Sequence, residues 1–427
     1  MIKLGLRKYA GLFKNESAMS QHNYNNYVPP KRFCYSRNHR KSKSIGGEVL
    51  AIPGILELVI SYLPAKTLSS TVQQVSKHWY EVVKRELWKR IGFELVLGTA
   101  LTLPSQTSTQ YDALRCSGLA MQLLDSTNES RFIPYLCLTF VHNRTMESRP
   151  FISRFIDVAY IPSRQTRIKP KQTFKVMPKF FDYILPKTSQ YVMLQTSGVV
   201  SCPQNSRETV NIDPSDLNGG GVSLFMTKFT NFYSSVFILP KMLSEEENLA
   251  AIGMLQYIKL PPGQNPGLVL LFSAQHGDVL ENMAIKLNSL FPNTIILGGF
   301  VDDHNVYKQV STLMEDECVS GIAFSSCSLS SSSVLLLDSD DNEQAIKNRF
   351  YTLRNSIVLR NNVIAFSVIC CARNAKLELK LFKDVFPSIP LIGFYGYGEM
   401  GNHFINLPSR IPKVYLYSSI YTIVTFS

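Results

Sequence analysis

Residues Ile52–Trp88, IPGILELVISYLPAKTLSSTVQQVSKHWYEVVKRELW, decide how this 427-residue chain opens. Pro53 suits the first turn of a helix, where a missing backbone N–H leaves no bond unmade. Leu56, Val59, Ile60 and Leu63 follow at i, i+3, i+4 and i+7, one apolar stripe. Pro64 cannot extend that helix, so the chain turns near Leu63. Leu68, Val72, Val75, Trp79 and Val82 then recur at spacings of four, three, four and three, which predicts a second amphipathic helix. Leu87 and Trp88 close the segment. Two helices and a short third make roughly 40 residues, near the lower limit for a bundle that stands alone without metal or disulfide. Such a bundle needs a partner, inside its own chain or outside it.

The apolar-Pro start, Tyr62-Leu63-Pro64, Leu68, Val75-Ser76-Lys77-His78-Trp79 and Leu87-Trp88 stand in the order of an F-box, and residues 45–92 resemble that family. The resemblance implies docking onto a Skp-type adaptor that links the chain to a cullin scaffold and its RING subunit. Physically this is a helical apolar interface with few charges at its centre. Position by position, the implied adaptor contacts are Ile52, Pro53, Leu56, Leu63, Pro64, Leu68, Val75 and Trp79. Trp79 and Trp88 are the only tryptophans, and each reads equally as an interface anchor or as core.

The net charge of +12 is unevenly spread. Residues 1–44 hold ten Lys or Arg against one acid, Glu16, so they carry nine of the twelve charges. The rest is nearly neutral, which argues against a nucleic-acid partner. This leader is rich in Asn, Ser and Tyr and reads as disordered. Its Arg37–Lys43 cluster has the composition of a nuclear import signal, and its first eight residues faintly resemble a mitochondrial leader. No run approaches 18 apolar residues, so no spanning helix is expected. Eight cysteines without a C-x-x-C fit neither a zinc site nor a disulfide framework and point to a reducing compartment. An F-box has its partners in the cytoplasm or nucleus, which sets the expected location.

Residues 93–130 read as a Ser/Thr/Gln-rich linker with a short helix around Leu119, Met121 and Leu123, and a second domain is expected over 131–427. Phe132–Val141 and Gln190–Cys202 read as strands. The basic run at Ser163–Met177 reads as a solvated loop, and Asp216–Gly221 as a hairpin turn. Ser244 and Glu247 form a capping box ahead of a helix. Further on, a rhythm appears. Phe272-Ser273 ends an apolar strand, a helix carries Leu280, Met283, Leu287 and Leu290, and Phe291-Pro292 leads to Gly298. About ninety-five residues later Phe366-Ser367, a helix with Leu377, Leu381, Phe382 and Val385, and Phe386-Pro387 lead to Gly393, with the same proline-to-glycine spacing. This is a duplicated strand–helix–strand unit in a mixed α/β domain.

Asn293–Val301, Gly321–Ser325 and above all Phe386–Gly401 resemble the C-terminal signature of a FIST domain, over 245–427. The expected fold class is therefore an α+β multidomain chain: a small three-helix F-box followed by a pseudo-duplicated mixed α/β FIST domain. The pairing implies a receptor that presents a protein substrate to a ubiquitin ligase and has no catalytic residues, cofactor or metal of its own. Candidate substrate or ligand residues are Cys370, Arg373, Gly396, Gly398 and Glu399. Where the family tends to carry Gly-Arg-Gly, Cys371-Ala372-Arg373-Asn374 follows Cys370. Cys370 reads either as an exposed thiol activated by Arg373 or as a buried strand cysteine. Glu399 reads either as a ligand contact or as a solvated turn residue. Two rival readings stay open: a small-metabolite sensor with a docking module, and a hydrolase or metal site assembled from Cys370, His276, His304, Asp302 and Asp303.

Overall fold

The computed structural model describes residues 50, 52, 54–90, 92–99, 132–143, 185–186, 189–204, 208–216, 220–229, 231–240, 243, 250–274, 278–307, 318–407 and 410–427. The leader, Pro53, the helix expected around Leu119–Leu123, the basic run at Ser163–Met177, the capping box at Ser244 and Glu247, and His276 lie outside the described residues, as do the side chains of Asp303 and His304.

The opening segment folds as three short helices, α1 (Ile55–Ser61), α2 (Ala65–Ser70) and α3 (Lys77–Lys89), with a 3₁₀ turn at Val72–Gln74. Gly54 caps α1 with φ 90, a conformation in which any side chain is strained. Pro64 ends the first helix, as its chemistry requires. The single helix expected from Leu68 to Val82 is instead split. Ser76 starts a new helix by accepting a hydrogen bond from the Trp79 N–H at 3.2 Å, and this cap competes with continuation from α2. Leu56, Ile60, Leu68, Val72, Val82 and Val83 form the bundle's core, with Leu63, Trp79 and Leu87 partly buried around it.

Residues 93–99, expected in the linker, form strand β1 (Phe93–Thr99), so the sheet domain begins right after α3. It continues through β2 (Leu136–His142), β3 (Gln190–Thr196), β4 (Gly198–Cys202), β5 (Val210–Ile212), β6 (Gly220–Met226), β7 (Phe232–Pro240), α4 (Ala250–Tyr257), β8 (Leu268–Ser273), α5 (Asp278–Leu290), β9 (Ile295–Phe300), β10 (Asp303–Tyr307) and β11 (Cys318–Ser326). Then come β12 (Ser330–Leu336), α6 (Glu343–Ser356), β13 (Asn362–Cys370), α7 (Ala375–Val385), β14 (Leu391–Gly396), β15 (Glu399–Gly401), β16 (Lys413–Tyr415) and β17 (Ser419–Phe426). The described strands make three sheets, in the orders β1-β6-β2-β3-β10, β7-β11-β8-β9-β15-β16 and β12-β17-β13-β14-β4-β5. The expected hairpin at Asp216–Gly221 is absent. β5 and β6, on either side of it, belong to different sheets.

The duplicated unit is present and larger than its rhythm shows. β8 and β9 pair in parallel, as do β13 and β14, and each pair is flanked by an antiparallel strand, β11 or β17, and then by β7 or β12. Gly298 stands opposite Leu271 and Gly393 opposite Ser367. A side chain at either glycine would strike the backbone of the strand alongside, which explains the shared spacing. The first sheet repeats the scheme: β2 and β3 are parallel, β6 is antiparallel to β2, and β1 to β6. After its parallel pair, each unit sends its next strand to another sheet, and β5 and β16 follow β4 and β15 there. β4 joins β14, β10 joins β3 and β15 joins β9, a closed three-way exchange.

The inner faces of all three sheets share one core. Phe140, Phe272 and Phe394, one from each sheet, meet there with ring centroids 5.1 to 6.2 Å apart. Helices α4 and α5 cover the outer face of the second sheet, through Met254, Leu280, Met283 and Leu287. α6 and α7 cover the third, through Ile346, Phe350, Leu379 and Phe382.

Candidate functional site

The bundle keeps its core inside and leaves a different apolar set outside. Of the implied adaptor contacts, Leu56 and Leu68 are buried in the bundle and support the surface without forming it. Leu63, Pro64 and Trp79 are partly buried, while Val75 is 59% and Ile52 49% exposed. Val59, read as part of the buried stripe, also faces out. Residues outside the expected set are open too: Tyr62 is 81% and Leu58 57% exposed, and Tyr80 is exposed as well. Leu58 and Tyr62 are four residues apart and Val59 three from Tyr62, so the three sit on one side of α1. Apolar residues that fall off the core stripe were the available sign of this surface. Arg90 was not legible at all. Its guanidinium donates to the carbonyls of Ile60 (2.8 Å), Ser61 (2.9 Å) and Leu63 (2.6 Å), and so holds the corner that displays Tyr62.

The second candidate set lies where β13, β14 and β15 approach one another. Cys370 pairs in register with Gly396, and Glu399 with Gly299. Arg373 is engaged within the fold. It donates to Glu378 Oε1 at 2.6 Å, to the Leu337 carbonyl at 2.7 Å and to the Asp340 carbonyl at 2.8 Å, and Glu378 also accepts from the Tyr421 hydroxyl at 3.0 Å. Arg373 is a buried clamp between the end of β12 and α7. Cys370 is buried, and burial pushes its thiol pKa up, with the nearby Glu399 adding to the rise. That opposes an activated nucleophile. Gly396 and Gly398 serve packing: a side chain on Gly398 would strike the Phe300 ring, and one on Gly396 would press on Val368.

Glu399 departs most from expectation, since it is fully buried and not a solvated turn residue. Ser418 donates to its Oε2 from the hydroxyl at 2.9 Å and from the backbone N–H at 3.4 Å. Among the described residues no donor meets hydrogen-bond geometry at Oε1. Burial raises the carboxyl pKa to about 8, against the partial offset from Ser418 and the Cys370 thiol beside it. At neutral pH the group is therefore mostly a neutral acid able to donate. Asp302, after β9, accepts from Asn143 Nδ2 at 3.0 Å, which ties it to the end of β2. Among the described residues no group of three or more His, Cys, Asp or Glu could hold a metal ion. No helix among them is long and apolar enough to cross a membrane.

Comparison with known proteins bears on the first surface most directly. Residues 53–94 match the F-box-like family. F-box only protein 22 of Pongo abelii is 26% identical over 367 residues, 81% of this chain and 83% of that protein. F-box only protein 22 of Homo sapiens is 29% identical over 177 residues, 38% of this chain and 42% of that protein. Among solved structures, a cyanuric acid hydrolase aligns with 79% of this chain and all of its own length at a TM-score of 0.34 and 8% identity, too low to carry an argument about fold or chemistry. The chain thus carries an F-box-like domain and resembles F-box only protein 22 along most of its length.

Proposed function

We propose that this protein is the substrate-recognition subunit of a Skp-cullin-F-box ubiquitin ligase, non-catalytic itself, acting in the cytoplasm or nucleus to promote ubiquitination and proteasomal degradation of target proteins. One observation carries the reading: the F-box-like bundle has a filled core of its own and still displays Leu58, Val59, Tyr62, Val75 and Tyr80 to solvent. An apolar surface left over after a small domain has packed marks a docking site. The Skp-type adaptor would cover it and bring the cullin and RING subunit. The FIST-like sheet domain would hold the protein substrate. The ligase then works by proximity, because a lysine held near a charged conjugating enzyme reacts without the entropic cost of encounter. Co-purification with adaptor and cullin tests this directly. A stoichiometric complex with the intact chain, lost in Leu58→Asp/Tyr62→Asp, supports it; no complex with the intact chain removes it.

A second reading is favoured by Glu399. A buried carboxyl with one oxygen unmatched, beside Cys370 and Ser418, is a place where a small molecule bearing a basic amine would find a proton to take and a carboxylate to pair with. Degradation would then be gated by a metabolite. Saturable thermal stabilisation by amino acids and amines, absent in Glu399→Gln, is the expected result.

A further inference from the structure

The helical bundle runs into the first sheet without a spacer. α3 ends at Lys89 and β1 starts at Phe93, and both sides of this short crossing are held. On the bundle side Arg90 Nη1 reaches the Leu63 carbonyl, Nη2 reaches those of Ile60 and Ser61, and Nε meets Glu86 Oε1 at 3.2 Å. The guanidinium takes carbonyls at the end of α1, where the i+4 donors of the helix run out, the Ile60 carbonyl also accepting the Leu63 N–H at 3.1 Å, and only 7% of the Arg90 side chain is exposed. On the sheet side Gly92 N donates to Thr227 Oγ1 at 3.2 Å and Thr227 N returns a bond to the Gly92 carbonyl at 3.0 Å. β1 then continues into an unbroken antiparallel ladder with β6, from Phe93 opposite Met226 to Thr99 opposite Gly220.

We propose that this junction is a positioning strut. Arg90, Gly92 and Thr227 fix the direction of the sheet domain relative to the Tyr62-Leu63-Pro64 corner, and so fix where a bound substrate stands relative to the adaptor. The inference rests on the adaptor-docking reading for its function, though not for its geometry. A peptide joint swings when its residues have free φ and ψ. Here the residues on either side of the joint are bonded to partners remote in sequence, Arg90 to the α1 corner and Gly92 to Thr227. A stiff joint confines transfer to lysines within a narrow zone, whereas a swinging one spreads the same effective concentration over many.

The test inserts Gly-Ser-Gly-Ser between Arg90 and Ile91, which preserves both sets of bonds and breaks only their connection, with Thr227→Val as a milder second variant. Spin labels at the exposed positions 81 and 376, attached through an encoded keto amino acid, report the distance between bundle and sheet domain in the free full chain. The expected wild-type result is one narrow distribution. The insertion should broaden it by on the order of 10 Å, the reach of a four-residue Gly/Ser coil. In a reconstituted ligase the insertion should leave adaptor capture intact while self-ubiquitination spreads from a few lysines to many. A wild-type distribution as broad as that of the insertion variant overturns the strut. So does an insertion variant that broadens in distance yet modifies the same lysines. Failure of the wild type to capture adaptor would remove the receptor reading alone, and the distance measurement would still decide the geometry.

Discussion

The bundle at Ile55–Lys89 and the three-sheet domain handle apolar surface in opposite ways. Among its described residues the bundle gathers six buried apolar side chains into one cluster and leaves Leu58, Val59, Tyr62, Val75 and Tyr80 outside, a large surplus for so few residues. The sheet domain draws residues from every sheet into one inner core and covers the outer faces of two sheets with helices. Among the described residues its buried charges Arg373 and Glu378 are paired, as is Asp340 with Arg349, while Glu399 is held largely protonated. The difference separates a module shaped for completion by another protein from one that completes itself.

The largest effect should come from the self-completing side. Phe394→Ala removes one ring of the three-sheet cluster and should cost about 3–5 kcal/mol in denaturant unfolding, with all three sheets lost together. If the sheets melt separately, the shared core is not the unit of stability. The next effect concerns Glu399, whose carboxyl holds its proton in the fold up to about pH 8, against 4.5 for an ordinary glutamate. Between those values the folded chain binds a proton that the unfolded chain has released, so stability falls as pH rises through the window. Glu399→Gln should flatten this slope: near pH 5 its Tm should match the wild type, and by pH 8 it should exceed it. A parallel pH dependence in both proteins would show the carboxyl to be solvated.

On the bundle side, Tyr62→Asp should weaken adaptor capture by about 2 kcal/mol, the scale of an interface hot spot, and leave Tm unchanged. A drop in Tm would place Tyr62 in the fold and not on a docking surface. Smallest is Ser76→Ala, which removes the cap of α3 and should cost about 1 kcal/mol in thermal unfolding while the sheet domain keeps its own stability. An unchanged Tm would mean that α2 and α3 are set by packing alone.

Local chemistry was legible and long-range pairing was not. Pro64 ended a helix, as its ring does wherever it occurs. The two Phe-Pro signals and their glycines disclosed two copies of the unit because Gly298 and Gly393 answer the same close approach. The first copy stayed hidden, since β3 contains no glycine and its tag reduces to Leu185-Pro186, with Leu185 buried like Phe291 and Phe386. The split between Leu68 and Val82 escaped notice because an unbroken apolar rhythm does not show that Ser76 would rather cap. Arg90 escaped for another reason: its three carbonyl partners lie 27 to 30 residues away. Glu399 was expected on a solvated turn and lies buried in β15, because an acid that follows Gly396 and Gly398 looks like a surface loop until the neighbouring strands close over it.

The position of β17 bears on how the protein comes to exist in the cell. Residues 419–426 lie between β12 and β13, in the interior of the third sheet. The ribosome makes the docking helices more than three hundred residues earlier. At about 5–20 residues per second, that interval is on the order of 20–70 s. Throughout it the third sheet stays split and apolar strands stand uncovered, while the bundle can already fold. A newborn chain would thus be ready for an adaptor well before its third sheet could close.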